Sequence, residues 1–279
     1  MVKYITVKDF KEIMPPRPEN SNKGTFGRVL NIAGSKNYIG AAVLSSITPL
    51  RTGAGLVTLA CPKFLIPIIA SKLPEVTFLP LDEPIFKAIR EYDVISLGCG
   101  LGKSGETKEL VKKVLNTNTN AKWVIDADAL NIIAEENIKE LPQNSILTPH
   151  PKEMSRLLNC TLKEIQENRE ESAIKCSKKF KCNVLLKGQN TVITNGETVY
   201  INKTGSSALA KAGSGDVLTG IISGLMAQGL SPFEAGIKGA YLHGLSGETA
   251  AKDLSVYSVL AGDLIEYLPK VILKLTNVR

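Results

Sequence analysis

Cysteine, histidine and aromatic side chains are all scarce in this 279-residue chain. The five cysteines (Cys61, Cys99, Cys160, Cys176 and Cys182) are odd in number, scattered and never spaced C-x-x-C. That pattern argues against a disulfide framework and a cysteine metal site, and leads us to expect a reducing, cytoplasmic setting. Aromatic content is 5% with a single tryptophan. Lys and Arg are spread along the whole chain, so the formal charge of +7 does not gather into the aromatic-studded basic stripe of a nucleic-acid binder. The longest apolar stretch, around Val217 to Leu230, is broken by Thr219, Ser223 and Gln228, so no membrane span is expected. The opening MVKYITVKDFKEIMPPRP intersperses charges among its apolar residues and lacks a signal-peptide core. No G-x-x-x-x-G-K-[ST] loop occurs, and Gly98, Gly100, Gly102 and Gly105 stand at the wrong offsets for G-x-G-x-x-G. The basic balance therefore points to a small anionic ligand held by some other device.

Short β-rich runs alternate with helix-patterned segments. RVLNIAG (Arg28 to Gly34), LVTLAC (Leu56 to Cys61), DVISLG (Asp93 to Gly98), KWVIDA (Lys122 to Ala127), SILTP (Ser145 to Pro149) and NVLLKG (Asn183 to Gly188) read as buried strands, with helical periodicity between them. Such alternation predicts an α/β fold, a mostly parallel sheet covered by helices on both faces. TVITNGETVYIN then signals a β-hairpin near residues 190–201, turned at Asn195-Gly196. Three helical segments follow a Gly/Ser/Ala-rich loop. No linker divides the chain, so one domain over 1–279 is expected, with 1–22 as an N-terminal segment.

Open α/β sheets bind ligands at the carboxyl ends of their strands, so the residues after each strand carry the functional question. In AGSGD, Ala212 to Asp216, glycines let an anion approach the backbone at the mouth of a helix, where unpaired N–H groups and the helix dipole favour phosphate. Asp216 stands where a hydroxyl attacking that phosphate must lose its proton. Helix capping by Ser214 or Asp216 explains the pentapeptide equally well. Lys187 and Gly188 close a strand, where Lys187 either contacts a phosphate or is a solvated turn residue. His150, before Pro151 and three residues ahead of Glu153, has the layout of a helix cap. His243 lies among small and apolar residues and reads as core or interface. Asp126 and Asp128 hold a magnesium through water or, in the case of Asp128, cap a helix. Gly220 and Gly224 imply close helix packing.

Taken in order, KGTFGRVLNIAGSKNYIGAAVLSSITPLRTGAGLVTLA, GCGLG, VIDADAL, ILTPHPKEMSRLL, LLKGQNTVI and AGSGDVLTGIISGLMAQG resemble the ADP/ATP-dependent NAD(P)H-hydrate dehydratases, a carbohydrate-kinase-like family. The likeness runs from about Lys23 to Leu268. The G-S-G-D element belongs to the wider ribokinase-like superfamily, whereas TPHPKE is more specific to the dehydratases. The resemblance implies a ribokinase-like fold and nucleotide-dependent dehydration of the S epimer of NADHX or NADPHX to NADH or NADPH, with ADP (or ATP) as phosphoryl donor. The free-standing architecture favours ADP, giving AMP and phosphate. Asp216 is then the catalytic base, and Ala212, Gly213, Ser214 and Gly215 form an anion hole. Lys187, Gly188, Gln189, Asn190, Thr191 and Gly215 line the nucleotide. Ala41, Gly102, His150 and Asp216 face the hydrate. Magnesium is implied by the donor, with Asp126 as a candidate ligand. Partners implied are a second copy of the chain, in a homo-oligomer for which a tetramer is one form, and a separate hydrate epimerase. One departure stands out: Ser206, Ser207 and Ala208, in Thr204 to Ala210, replace Asn, Pro and Gly of the family loop. The alternatives are a small-molecule kinase for a vitamin precursor or sugar, and a nucleotide-binding protein without turnover.

Overall fold

The computed structural model describes residues 2–6, 14–82 and 85–276. Of the N-terminal segment expected at 1–22, residues 1 and 7–13 lie outside the described residues. The chain enters as a short strand, β1 (Val2–Tyr4), and reaches β2 (Arg28–Ile32), α1 (Ile39–Thr52), β3 (Leu56–Cys61), α2 (Ile66–Ala70) and β4 (Thr77–Pro80). It continues through α3 (Ile85–Ala88), β5 (Val94–Leu97), α4 (Gly105–Leu115), β6 (Lys122–Ile125), α5 (Ala127–Glu135) and β7 (Ser145–Leu147). Three helices follow, α6 (Pro151–Leu158), α7 (Leu162–Glu167) and α8 (Arg169–Phe180), before β8 (Asn183–Leu186) and the hairpin β9 (Thr191–Thr194) and β10 (Val199–Asn202). The last stretch is helical: α9 (Ser214–Ala227), α10 (Pro232–Leu254) and α11 (Ala261–Thr276).

These strands form one ten-stranded sheet in the order β1-β10-β9-β8-β7-β6-β5-β2-β3-β4. From β4 to β8 every pairing is parallel, and β9 alone runs against its neighbours. Mostly parallel pairing and the hairpin are as the sequence implies. The pattern reading misses β1 and β4, which are the two edge strands; half-exposed edges carry no continuous apolar run.

Alternate residues of each strand feed two separate cores, which is why the strands are apolar throughout. Val29, Val57, Val94, Val124 and Leu185 point to the face covered by α1, α9, α10 and α11. Leu30, Ile95, Trp123, Ile125 and Leu186 point to the face covered by α4 to α8. The helix α9 is buried along almost its whole length against α1 and α10. Val217, Ile221, Ile222 and Leu225 are fully buried, each stabilising the fold by about 1.5–3 kcal/mol. Close approach of α1 requires the two glycines: a Cβ at Gly220 would lie 2.5 Å from Cβ of Thr48, and one at Gly224 would lie 2.7 Å from Cβ of Thr52. This packing seats the N-terminus of α9 at the carboxyl edge of the sheet, among the ends of β5, β6 and β8.

Candidate active site

Five helices begin on a side-chain cap, Ser104 on α4, Asp126 on α5, His150 on α6, Thr161 on α7 and Ser231 on α10, whereas α1, α2 and α8 lack one. The helix α9 also has none. Its N-cap is Gly213, at φ 87, and no side chain accepts from the first turn. Neither Ser214 nor Asp216 caps the helix, so that explanation of AGSGD is set aside. Ser214 is turned instead toward His243 of α10. The His243 Nε2–H donates to the Ser214 carbonyl at 2.9 Å and lies 3.1 Å from its hydroxyl. Burial pushes the His243 imidazole down to about 4, so it is neutral. His243 is a core residue, as the sequence suggests, but one that anchors the first turn of α9.

A buried charge cluster faces that turn. Asp126, at the end of β6, accepts from Lys187 Nζ at 2.7 Å, from its neighbour Ala127 N at 2.8 Å and from Thr219 Oγ1 at 2.7 Å. Lys187 Nζ also lies 3.9 Å from Glu153 Oε2. Burial works against the Lys187 charge, but Asp126 and Glu153 outweigh it and lift the amine above its usual value. Burial raises the Glu153 carboxyl to about 7. A Cβ added at Gly215 would sit 3.5 Å from Lys187 Nζ and 3.9 Å from Asp126 Oδ2, so the missing side chain leaves room above the pair. Asp216 follows in the same turn. Burial raises its carboxyl to about 6, while the Cys99 thiol, which donates to it, acts in the opposite direction.

The other expected residues lie along the same edge. Lys187 N donates to Pro149 O, tying the end of β8 to the turn before α6. Gly188 (φ 133), Gln189 and Asn190 (φ 55) form an exposed turn closed by Thr191 Oγ1 donating to Gly188 O at 2.9 Å. His150 caps α6 through Nδ1, which accepts from Lys152 N and Glu153 N, while Glu153 accepts from His150 N. With Nδ1 so committed, the half-exposed His150 ring lies at the edge with its Nε2 3.2 Å from Glu153 Oε1. Gly102 N donates to Asp128 Oδ2 at 2.8 Å. The capping role weighed for Asp128 thus belongs to Asp126, and Asp128 holds the GCGLG turn. Ala41 is partly exposed and abuts Gly100, whereas Ala42 is fully buried. Ala212 is exposed at the lip of α9. From Gly102 a cleft of about 930 Å³ runs over the ends of β2 and β3 toward Lys63 and Phe64.

For magnesium the donor set is poor. Both Asp126 oxygens already accept from Lys187, Ala127 and Thr219, and no group of three acidic, His or Cys side chains among the described residues is arranged to hold a metal. Magnesium is commonly held by substrate phosphates and water rather than by a protein cage, and only that arrangement fits here. The atypical loop forms a short turn at Ser207–Leu209 capped by the Ser206 hydroxyl, and Gly205 N donates to Glu248 of α10 at 2.7 Å.

Residues 29–270 match the family model of the NAD(P)H-hydrate dehydratases. The chain belongs to the NAD(P)H-hydrate dehydratase family. It is 42% identical to a bifunctional NAD(P)H-hydrate repair enzyme of Moorella thermoacetica over 93% of its own length and 52% of that protein. The chain therefore spans about half the length of such relatives. It is 35% identical to the ADP-dependent (S)-NAD(P)H-hydrate dehydratase of Neisseria meningitidis serogroup B, over 93% of this chain and 89% of that one. A crystal structure of the ADP/ATP-dependent NAD(P)H-hydrate dehydratase of Bacillus subtilis, co-crystallized with ATP/Mg2+, superposes with a TM-score of 0.88 at 32% identity, covering 98% and 99% of the two chains. The fold is ribokinase-like. Four further residues of the site, Cys99, Glu153, Thr219 and Arg169, are not marked as functional by the sequence patterns; Glu153 is legible there only as the helix-cap partner of His150. Thr219 was within reach: it stands one helical turn after Asp216, on the same face. The others join the site only through tertiary packing.

Proposed function

We propose that the protein dehydrates the S epimer of NADHX and NADPHX to NADH and NADPH, consuming ADP to give AMP and phosphate. The observation that carries this reading is the uncapped N-terminus of α9 with Asp216 in its first turn, at the carboxyl edge of the sheet. Of the amides at Ala212 to Gly215, that of Ser214 already donates to Lys211 O at 3.3 Å; the others suit the phosphoryl group in transit, where charge builds and fixed donors act most strongly. Asp216 takes the proton of the ring hydroxyl as its oxygen bonds to the β-phosphorus of ADP, and AMP leaves. The new phosphate ester is a far better leaving group than hydroxide. Loss of the C5 proton and departure of inorganic phosphate then restore the ring double bond.

The turn Lys187, Gly188, Gln189, Asn190 and Thr191, with Gly215, receives the nucleotide. Ala41, Gly102 and His150 face the hydrate, and the cleft beyond Gly102 has the size to accept the rest of the dinucleotide. Magnesium arrives with the nucleotide, where it neutralises phosphate charge. The proposal includes one catalytic domain, a cytoplasmic homo-oligomer and a separate epimerase. The match to half of a bifunctional repair enzyme supports a functional link to a second hydrate-repair activity. Among the described residues no helix is long and apolar enough to cross a membrane. Product analysis tests the reading: NADHX and ADP should disappear together as NADH, AMP and inorganic phosphate appear in equal amounts. A stable phosphorylated small molecule would instead establish a kinase.

A further inference from the structure

Lys187 is the cation that sequence reasoning assigns to the nucleotide, yet its charge is already met by Asp126 at 2.7 Å and Glu153 at 3.9 Å. A different cation lies just beneath the same turn. Arg169, the first residue of α8, donates through Nη2 to Leu186 O at 3.1 Å and Lys187 O at 3.2 Å. Both terminal nitrogens would lie 3.2 Å from a Cβ at Gly188, so the guanidinium packs directly against the glycine turn. Among the described residues, no carboxylate forms an ion pair with Arg169. Its Nε is buried without an acceptor, and burial lowers the pKa of the group. A half-buried guanidinium without a counter-charge is costly unless an anion completes it. Its planar fork is suited to phosphate oxygens.

We propose that Arg169 is a positioning residue for the nucleotide: it braces the Lys187–Gly188 turn through two carbonyls and supplies the uncompensated positive charge that a nucleoside diphosphate meets there. This rests on the reading of residues 187–191 as the nucleotide turn. The glycine at 188 follows from the same arrangement. Its φ of 133 strains any other residue there, and a Cβ would press on the guanidinium at 3.2 Å and displace it.

Calorimetric titration of the whole protein with magnesium-ADP tests the proposal independently of turnover. Arg169→Gln keeps a donor for the two carbonyls and removes the charge, and its ADP affinity should fall at least about tenfold. Arg169→Lys restores the charge without the fork and should bind better than Arg169→Gln but worse than wild type. In steady state, Arg169→Gln should raise KM for ADP, leave KM for the hydrate within about twofold, and keep kcat near wild type at saturating ADP. The salt dependence of ADP binding should be shallower in Arg169→Gln than in wild type. A folded Arg169→Gln that binds ADP like wild type would overturn the proposal, as would equal losses toward hydrate and nucleotide. If Arg169→Gln does not fold, Arg169→Lys decides alone: ADP affinity below wild type is the expected result, and wild-type affinity would overturn the proposal. Failure of the wild type itself to bind ADP would overturn the nucleotide reading of the turn instead.

Discussion

Lys187 Nζ and Asp126 Oδ1 lie 2.7 Å apart, joining the end of β8 to the start of α5 across 61 residues of sequence. Asp126 is 1% exposed, so the pair is a buried ion pair that also takes a hydrogen bond from Thr219 of α9. It fixes the floor beneath the Gly215 amide. Removing one partner leaves the other charge buried and unmatched. Lys187→Met and Asp126→Asn should each destabilise the protein by about 3–5 kcal/mol, and the double variant by clearly less than the sum. Chemical denaturation of the three variants measures this.

Asp216 should govern the acid side of the pH profile. A carboxyl lifted to about 6 by burial is half ionised there and fully able to accept a proton only above it. The rate at low hydrate concentration should therefore rise with pH through about 6 and level off. Asp216→Asn should lower kcat by ~100-fold or more while ADP still binds.

The same raised pKa has an opposite consequence for stability. The group's folded pKa lies above its ordinary value of 3.8, so the folded state gains from protonation, and that contribution is lost as pH rises through about 6. Asp216→Asn removes the burden of an ionised, partly buried carboxylate. Its stability relative to wild type should be unchanged below about pH 4 and should grow to about 2–3 kcal/mol above pH 7. Thermal melts across that range check the sign; a gain that appears only at low pH contradicts it.

Two glycines of the same turn should behave differently. A methyl at Gly213 meets a φ of 87 and sits 2.6 Å from Leu44 Cδ1 and 2.9 Å from Ala261 Cβ, so Gly213→Ala should cost at least about 2 kcal/mol. At Gly215 the nearest atoms are at ordinary contact distance, so Gly215→Ala should fold with wild-type stability or better. That methyl projects into the space over Lys187 and Asp126, so ADP affinity should fall about tenfold. Melting temperature and calorimetry separate the two effects.

Much of this arrangement is legible in the sequence because parallel strands are apolar on both faces and end in polar or glycine-rich turns. Each of RVLNIAG, DVISLG, KWVIDA and NVLLKG marks its strand and, at its end, a stretch of the site. The roles of individual side chains are less legible. Asp126 and Asp128 look alike in VIDADAL, but packing sends one to Lys187 and Thr219 and the other to Gly102. Cys99 and Arg169 carry no local pattern at all. Their meaning depends on which strand end and which helix start the sheet order brings together, and a hydrophobic period does not encode that order. His243 shows the intermediate case: its apolar surroundings signal burial correctly, but not the hydrogen bond to the Ser214 carbonyl.

The central claim is that the α9 turn couples phosphoryl transfer to dehydration of a nicotinamide hydrate, and one spectrophotometric assay addresses it most directly. Purified protein is mixed with NADHX, magnesium and either ADP, ATP or no nucleotide, and recovery of the reduced-nicotinamide absorbance is followed. The account predicts recovery with ADP, little or none without nucleotide, and its loss in Asp216→Asn. Recovery at the same rate without nucleotide, or none with either nucleotide, would contradict it.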